Sequence, residues 1–185
     1  MTIKKWEHVG EETVLAGKFG KKLLVKQFVN PSTGKTEDYV QFAQCEWSVC
    51  LAITDDGQVL VESEFKQGRN GIGDELPAGT AEFNETPEQV MRRELREETG
   101  YEANKVIYLG FGWMSTRNSP TRFHCFLAID CHKVGPAKLD ANEDIETRLV
   151  SLNEWLDMVT HGAIAEPSAI VATVRALPFL GLRIS

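Results

Sequence analysis

Residues Thr86 to Gly100 read TPEQVMRRELREETG, and this stretch predicts the clearest helix of the chain. Thr86 is a suitable N-cap, because its hydroxyl can accept a backbone N–H while Gln89 completes a capping box. Pro87 suits the first helical position, where no backbone N–H is needed. Gly100 is typical of the position that follows the last helical turn. Both ends of this helix are therefore predicted from local sequence.

The apolar face of this helix also carries carboxylates. With ~100° between successive residues, one arc of the helical wheel contains the apolar side chains Val90, Met91 and Leu95. Glu94 and Glu98 fall inside this arc, and Glu97 lies at its edge. The basic residues are placed on the opposite side of the wheel: Arg92, Arg93 and Arg96. The pattern predicts acidic groups on a buried surface, with no cation on their own face.

Burial of an ionised carboxylate costs several kcal/mol unless another group compensates its charge. Glu94 and Glu98 are one turn apart, so they are expected either to take up a proton or to bind a cation. Clustered oxygen ligands suit Mg²⁺ or Mn²⁺, which accept carboxylates and keep several waters. Arg93 can reach Glu97 at the i, i+4 spacing. A solvated charged helix is the alternative interpretation.

Strands are predicted on both sides of the helix. Apolar and β-branched runs cover 23–29, 39–44, 49–54, 58–63, 106–113, 121–130 and 148–151, and a Gly-rich loop covers 68–73. Ser151 and Glu154 begin a second helix that ends near Gly162, and a third helix is predicted over 166–177. This order predicts an α+β fold with a mixed β-sheet between helices. Residues 1–45 are expected to form an N-terminal antiparallel β segment, and residues 46–185 the main domain.

Composition limits the class of protein. The 185 residues include 20 basic and 27 acidic side chains, a formal net charge of −7. This balance disfavours duplex DNA or an anionic membrane as the main partner, since both attract clustered Lys and Arg. No stretch approaches the ~20 apolar residues of a membrane helix, and residues 1–10 lack a signal-peptide core. A cytoplasmic protein is expected.

In the cytoplasm the four cysteines are expected to be reduced thiols. Zinc is a weaker alternative, because the spacings C-x4-C and C-x5-C are unusual for zinc sites. The alternation of Phe123, Cys125 and Leu127 predicts instead a strand in which thiols serve as small apolar groups. The cysteines and the histidines that flank the second pair are Cys45, Cys50, Cys125, Cys131, His124 and His132.

The predicted helix and its neighbours resemble the signature of the Nudix hydrolases, G-x5-E-x7-R-E-U-x-E-E-x-G-U, in which U is a bulky apolar residue. Gly79, Glu85 and the run Arg93–Tyr101 match it at all seven fixed positions. Tyr101 departs from the pattern, since it is aromatic where an aliphatic residue is usual. The resemblance implies a Nudix-like mixed sheet and a divalent-metal site.

Other segments resemble one branch of the family, the ADP-ribose and nucleoside-diphosphate-sugar pyrophosphatases. Glu75–Gly79 is similar to the branch's lead-in to the signature. Glu64–Lys66 resembles its Gln-aromatic-Arg element, with Lys in place of Arg, and Asp140–Ile145 resembles its acidic loop. Members pair as dimers through an N-terminal β segment, which implies a homodimer. Ser115 is followed by Thr116 where ADP-ribose enzymes usually have proline, which favours a broader or different nucleotide sugar.

The resemblance also implies the metal ligands. Glu94, Glu97, Glu98 and the carbonyl of Ala78 are the expected ligands of Mg²⁺, with Mn²⁺ as an alternative. Gly79 is expected to let the chain turn tightly beside Ala78.

The remaining site residues are likewise implied by the resemblance. Glu143 is the expected general base, with Asp144 and Glu146 as alternatives. Glu97 and Arg93 complete the catalytic set, and Glu85 is expected to brace the loop before the helix. The expected substrate contacts are Lys66 and Thr116.

The implied activity is Mg²⁺-dependent hydrolysis of a nucleoside diphosphate sugar, such as ADP-ribose or GDP-mannose, to NMP and a sugar phosphate. One alternative is a Nudix hydrolase for dinucleoside polyphosphates, oxidised nucleotides or a capped RNA end. The N-terminal β segment and the Glu75–Gly79 lead-in argue against it. Another alternative is a non-catalytic module that senses a nucleotide, and the intact set of carboxylates argues against that. The expected partners are a small-molecule nucleotide sugar and a second copy of the chain, without nucleic acid or membrane.

Overall fold

The structure, a computed structural model, describes residues 4–17 and 20–183. The strands are β1 (Glu7–Ala16), β2 (Lys22–Val29), β3 (Thr36–Ala43), β4 (Trp47–Thr54), β5 (Gln58–Lys66), β6 (Gly71–Glu75), β7 (Ala78–Thr80), β8 (Tyr101–Trp113), β9 (Arg122–Lys133) and β10 (Ile145–Ser151). The helices are α1 (Pro87–Thr99), α2 (Leu152–Thr160) and α3 (Pro167–Ala176), and a short 3₁₀ helix follows at Leu177–Leu180. Among the described residues, no helix has the length and apolar character needed to cross a bilayer.

The described residues pack as two compact units. The first unit comprises the chain up to Glu46 together with Trp113–Arg122, and the second comprises Trp47–Gly112 and the chain from Phe123 onward. The segment Trp113–Arg122 therefore groups with the N-terminal unit, whereas the predicted domain bounds of 1–45 and 46–185 place it in the main domain.

The first unit is built on an antiparallel sheet in which β1 pairs with β2 and β2 with β3. The rings of Trp6 and Phe28 each pack edge-on against Tyr39, with centroids 6.0 and 5.7 Å away. The backbone N–H of Phe42 donates to the carbonyl of Asn118 at 2.8 Å, which ties the segment Trp113–Arg122 to β3. Strand β1 was not predicted, because its sequence lacks an apolar run and its ladder depends on pairing with β2.

The second unit contains a mixed sheet with the strand order β10-β5-β4-β9-β8, while β6 pairs with β5 and β7 with β4. Strands β4 and β9 are parallel, whereas β4 and β5 are antiparallel. The residues of β4 from Ser48 to Thr54 are all buried. A near-continuous buried run of this kind is typical of a strand whose sheet is covered on both faces.

Helices cover the two faces of this sheet. On one face, Met91 and Leu95 of α1 pack with Leu60 of β5 and with apolar residues of β4 and β9. On the other face, Trp155 of α2 and the alanines of α3 pack against the same strands. The predicted α+β fold, a mixed sheet between helices, is confirmed.

The predicted ends of α1 are confirmed. The Thr86 hydroxyl accepts from the Gln89 backbone N–H, the reciprocal bond of the capping box is present, and Pro87 is in the first turn. Gly100 has φ of 73°, and a Cβ there would lie 2.2 Å from the carbonyl oxygen of Gly135. Gly100 is therefore required both by its left-handed conformation and by the close approach of another segment.

Two local predictions concern the Gly-rich loop and the cysteines. Part of the predicted Gly-rich loop at 68–73 forms β6, because residues from Gly71 onward pair with the end of β5. Cys50, Cys125 and Cys131 are free and buried, as expected of thiols that serve as small apolar groups, while Cys45 is free and exposed.

Candidate active site

Helix α1 buries two carboxylates on its apolar face. Glu94 is 9% exposed and Glu98 is 5% exposed, and both lie beside the fully packed side chains of Met91 and Leu95. The prediction that these acidic groups occupy the buried face is confirmed. Charged side chains are almost never buried this deeply without a compensating partner.

Glu98 is held at both its side chain and its backbone. Its Oε2 accepts a hydrogen bond from the backbone N–H of Ala78 at 3.1 Å, and its carbonyl accepts one from the hydroxyl of Thr147 at 3.3 Å. Burial and the negative charges of Glu62 and Glu94 raise the pKa of Glu98 well above its usual range. The Ala78 N–H acts in the opposite direction, because it favours the ionised form.

Glu94 lies directly against the backbone of β7. A Cβ at Gly79 would lie 1.9 Å from Cδ of Glu94, so a side chain larger than hydrogen does not fit there unless Glu94 moves. The expectation of a tight turn at Gly79 is wrong: Gly79 is inside a short strand that pairs with Ser48 of β4. Burial raises the pKa of Glu94 to about 7, although the nearby Arg93 guanidinium favours its ionised form.

Arg93 connects the carboxylates around the start of α1. Its Nε and Nη2 bind the two oxygens of Glu85 at 2.8 and 2.9 Å, and Nη2 also donates to the carbonyl of Thr80. Its Nη1 lies 2.8 Å from Oε1 of Glu94 and 3.1 Å from Oε2 of Glu97. The expectation that no cation faces Glu94 is therefore wrong, because the long side chain of Arg93 reaches around the helix. The predicted bond of Arg93 to Glu97 is present, and Glu85 accepts the Glu82 backbone N–H at 2.9 Å within the loop that precedes the helix.

Glu97 is at the edge of the buried face, as the helical wheel predicted. Its side chain is 46% exposed and is paired with Arg93. Its backbone carbonyl accepts a hydrogen bond from the N–H of Lys138 at 2.7 Å. The structure therefore gathers Glu94 and Glu98 on the buried face, whereas Glu97 faces solvent beside Arg93.

Glu143 is in the loop that precedes β10. Its backbone N–H donates to the carbonyl of Asp140 at 3.0 Å, and its Oε2 accepts from the Asp140 N–H at 2.9 Å. The negative charge of Glu143 raises the pKa of both Glu94 and Glu98. Glu143 is therefore close enough for its charge to act on the carboxylates of α1. The alternatives Asp144 and Glu146 are exposed.

The two predicted substrate contacts have different surroundings. The ammonium group of Lys66 forms ion pairs with the carboxylates of Glu64 and Glu75. Burial opposes the charge of Lys66, yet these two carboxylates raise its pKa above the usual range. Thr116 is in an exposed turn of the first unit. Their role in substrate binding stays a prediction.

Glu62 was not among the predicted site residues, and its side chain lies beside Glu98. Glu62 is 1% exposed, and the Glu98 carboxyl is within hydrogen-bonding reach of it. Strand alternation places Glu62 on the same face as the apolar residue Leu60, because Glu62 follows Leu60 by two residues and alternate residues of a strand share a face. Leu60 packs against α1. Glutamate is usually exposed in a strand, so this alternation did not lead to a prediction that Glu62 is buried.

The donor set suits a hard divalent cation. In the described part of the chain, no three His, Cys, Asp or Glu side chains form a ready coordination group. Mg²⁺ needs few protein ligands, since it is commonly bound by one or two carboxylates and keeps several waters. Glu94 and Glu98 provide such a pair, and the unpartnered oxygen of the neighbouring Glu62 is a further hard donor. The residues present therefore fit a divalent ion.

Comparison with known proteins gives both family and structural matches. Residues 46–167 match the family model of the NUDIX domain. The chain is 31% identical over 134 residues to an ADP-ribose pyrophosphatase of Bacillus subtilis, a match that covers 72% of this chain and 70% of that protein. It is 27% identical over 123 residues to a methanol dehydrogenase activator of Bacillus methanolicus, with 66% of each protein covered.

Two further matches have lower coverage or lower identity. A putative nudix hydrolase 2 of Caenorhabditis elegans is 30% identical over 114 residues, which span 57% of this chain and 51% of that protein. A crystal structure of an ADP compounds hydrolase superposes with a TM-score of 0.83 at 16% identity, covering 98% of this chain and 97% of the other. At that identity the structural likeness concerns the fold.

Proposed function

Because this chain belongs to the Nudix family of pyrophosphohydrolases, we propose that it hydrolyses the pyrophosphate bond of a nucleoside diphosphate sugar. The products are an NMP and a sugar phosphate. ADP-ribose is the first substrate to test, since the Bacillus subtilis relative is an ADP-ribose pyrophosphatase. The fold likeness to an ADP compounds hydrolase supports the same class. GDP-mannose is the second substrate to test.

One observation carries the proposal: two carboxylates of α1 are buried against the short strand that precedes the helix. Glu98 accepts from the Ala78 N–H, and Glu94 fills the space that a side chain at Gly79 would need. Buried acidic groups in this arrangement require a cation or a proton. We assign a divalent metal, with Mg²⁺ the ion that best matches hard oxygen donors.

The assigned ligands are Glu94, Glu98, Glu97 and the carbonyl oxygen of Ala78. A bound divalent ion would neutralise phosphate oxygens and lower the pKa of a water molecule. Arg93 positions Glu94 and Glu97, because Nη1 of its guanidinium binds both carboxylates. The Nε of the same guanidinium is held by Glu85.

Glu143 is the general base in this mechanism. Its Oε2 accepts the Asp140 N–H, which orients the carboxylate and leaves Oε1 as the oxygen assigned to take the proton of the attacking water. The charge that Glu143 exerts on Glu94 and Glu98 supports this placement. Lys66 and Thr116 are the proposed substrate contacts, and Glu64 and Glu75 hold the ammonium group of the lysine.

We also propose that the protein acts as a homodimer. The first unit exposes apolar side chains on one face of its sheet: Leu15, Leu23 and Val40. An apolar sheet surface of this kind is typical of an interface with another chain. The free, buried thiols support a reducing compartment such as the cytoplasm.

The test is release of phosphate from the products, through a coupled phosphatase, on a panel of nucleotide sugars and dinucleoside polyphosphates with Mg²⁺ or with EDTA. We expect turnover of ADP-ribose or GDP-mannose with Mg²⁺ and none with EDTA. We expect Glu98→Gln to lose this turnover. Glu88→Gln is the matched control, because Glu88 is exposed on the same helix and pairs only with the surface residue Arg92 among the described contacts. Turnover of dinucleoside polyphosphates alone would contradict the substrate assignment. A lack of turnover on every compound would favour a nucleotide sensor.

A further inference from the structure

Glu62 is a buried carboxylate outside the Nudix signature. It lies on β5, is 1% exposed, and its Oε1 has no hydrogen-bond partner within the described part of the chain. In the sheet register it is opposite Glu75 of β6 and Thr147 of β10. Directly paired residues of adjacent strands present their side chains on the same face. The Thr147 hydroxyl bonds the backbone of Glu98 in α1, so Glu62 shares the face that α1 covers.

The charges around Glu62 are mostly negative. Glu75 is opposite Glu62 in the sheet register, and Glu64 lies two residues further along β5. Lys66 is on the same strand, but its ammonium group is ion-paired with Glu64 and Glu75. Glu62 and Glu98 therefore form an acidic pair whose charge Lys66 does not balance.

Glu94 differs from this pair, because Arg93 directly contacts its carboxylate. A single proton shared by Glu62 and Glu98 would cancel one negative charge and would leave an unpartnered oxygen in the protein interior. A divalent cation would balance both charges and provide a partner for that oxygen. Carboxylate oxygens are the donors that hard divalent cations prefer.

Resting on the metal-dependent function proposed above, we infer that Glu62 is a further ligand of the divalent cation, which it shares with Glu98. Glu62 is held on a central strand and Glu98 on a packed helix, so the two donors approach the ion from rigid elements. The ligand set of this chain then includes a strand residue that the signature does not contain.

The test measures Mn²⁺ binding to the full-length protein without nucleotide, by calorimetry and by the electron paramagnetic resonance of free Mn²⁺. Glu62→Gln keeps the shape of the side chain and can donate a hydrogen bond to Glu98, but it removes the charge. We expect it to weaken Mn²⁺ binding by at least about tenfold. Glu98→Gln is the positive control for loss of binding, and Glu88→Gln is the control for a matched change of net charge.

A second variant, Glu62→Val, separates metal binding from folding. Valine has a similar volume and a high strand propensity. We expect the metal-free variant to unfold at a temperature no lower than that of the wild type, because a buried charge is removed. The upward shift of the unfolding temperature on addition of Mn²⁺ should be smaller than in the wild type.

The outcomes separate this inference from the proposed function. If the wild type binds Mn²⁺, Glu98→Gln loses binding and Glu62→Gln retains wild-type affinity, the inference is overturned in favour of a shared proton, and the proposed function stands. If the wild type itself does not bind Mn²⁺, with or without nucleotide, the metal-dependent function and this inference both fail.

Discussion

Replacing Gly79 by alanine should displace the Glu94 carboxylate. The new Cβ would lie 1.9 Å from both Cδ and Oε1 of Glu94, and 2.3 Å from its Cγ. Ordinary contacts between carbon atoms are about 3.5–4.0 Å, so the carboxylate or strand β7 must move by roughly 1.5 Å. Arg93 and the packed face of α1 limit where Glu94 can go.

The size of the effect follows from that displacement. Overpacking of a well-packed site costs about 1–3 kcal/mol, which for a chain of this length lowers the unfolding temperature by about 2–12 °C. A misplacement of about 1 Å in a catalytic group can lower the rate about 100-fold. We therefore expect Gly79→Ala to fold, to unfold at a moderately lower temperature, and to lose about 100-fold in kcat/KM.

The assay is kcat/KM for ADP-ribose with Mg²⁺, together with the unfolding temperature and Mn²⁺ affinity. Gly68→Ala is the matched control, because a Cβ at Gly68 meets no atom within 4 Å; its stability should change by less than about 0.5 kcal/mol. Adding Glu94→Asp to Gly79→Ala shortens the displaced side chain, so stability should recover while activity does not. A Gly79→Ala protein with wild-type kcat/KM and wild-type Mn²⁺ affinity would refute this reasoning.

Three further predictions concern charge. The pKa of Glu94 is raised from 4.5 to about 7, so between these pH values the folded protein keeps a proton that the unfolded chain releases. The free energy of unfolding of the metal-free protein should therefore fall as pH rises through this window, by up to about 3 kcal/mol from Glu94. Urea denaturation at several pH values should show a flatter dependence in Glu94→Gln, and an unchanged slope would contradict the assignment. Arg93→Lys removes the fork that binds Glu85 and should cost about 1–3 kcal/mol in urea denaturation, whereas Arg92→Lys, at an exposed pair, should be nearly neutral. Glu143→Gln should lower kcat by about 10²–10⁴-fold, and a wild-type kcat would show that the base is another group.

Local sequence was sufficient for helix α1 and for the position of its carboxylates. The capping residues at Thr86 and Gln89 act within one turn, and Gly100 acts at the next residue after the helix, so their effects do not depend on distant segments. The helical period alone placed Glu94 and Glu98 on the buried face. Burial of both side chains agrees with that prediction.

Tertiary structure decided what surrounds those carboxylates. Gly79 is needed because Glu94, fifteen positions later in the chain, occupies its side-chain space. Arg93 contacts Glu94 only because its long side chain bends around the helix toward Glu85. Glu62 meets Glu98 because strand pairing brings β5 beneath α1. Sequence periodicity determines which face a side chain occupies, but the contacts across that face depend on how separate elements pack, and no local pattern encodes them.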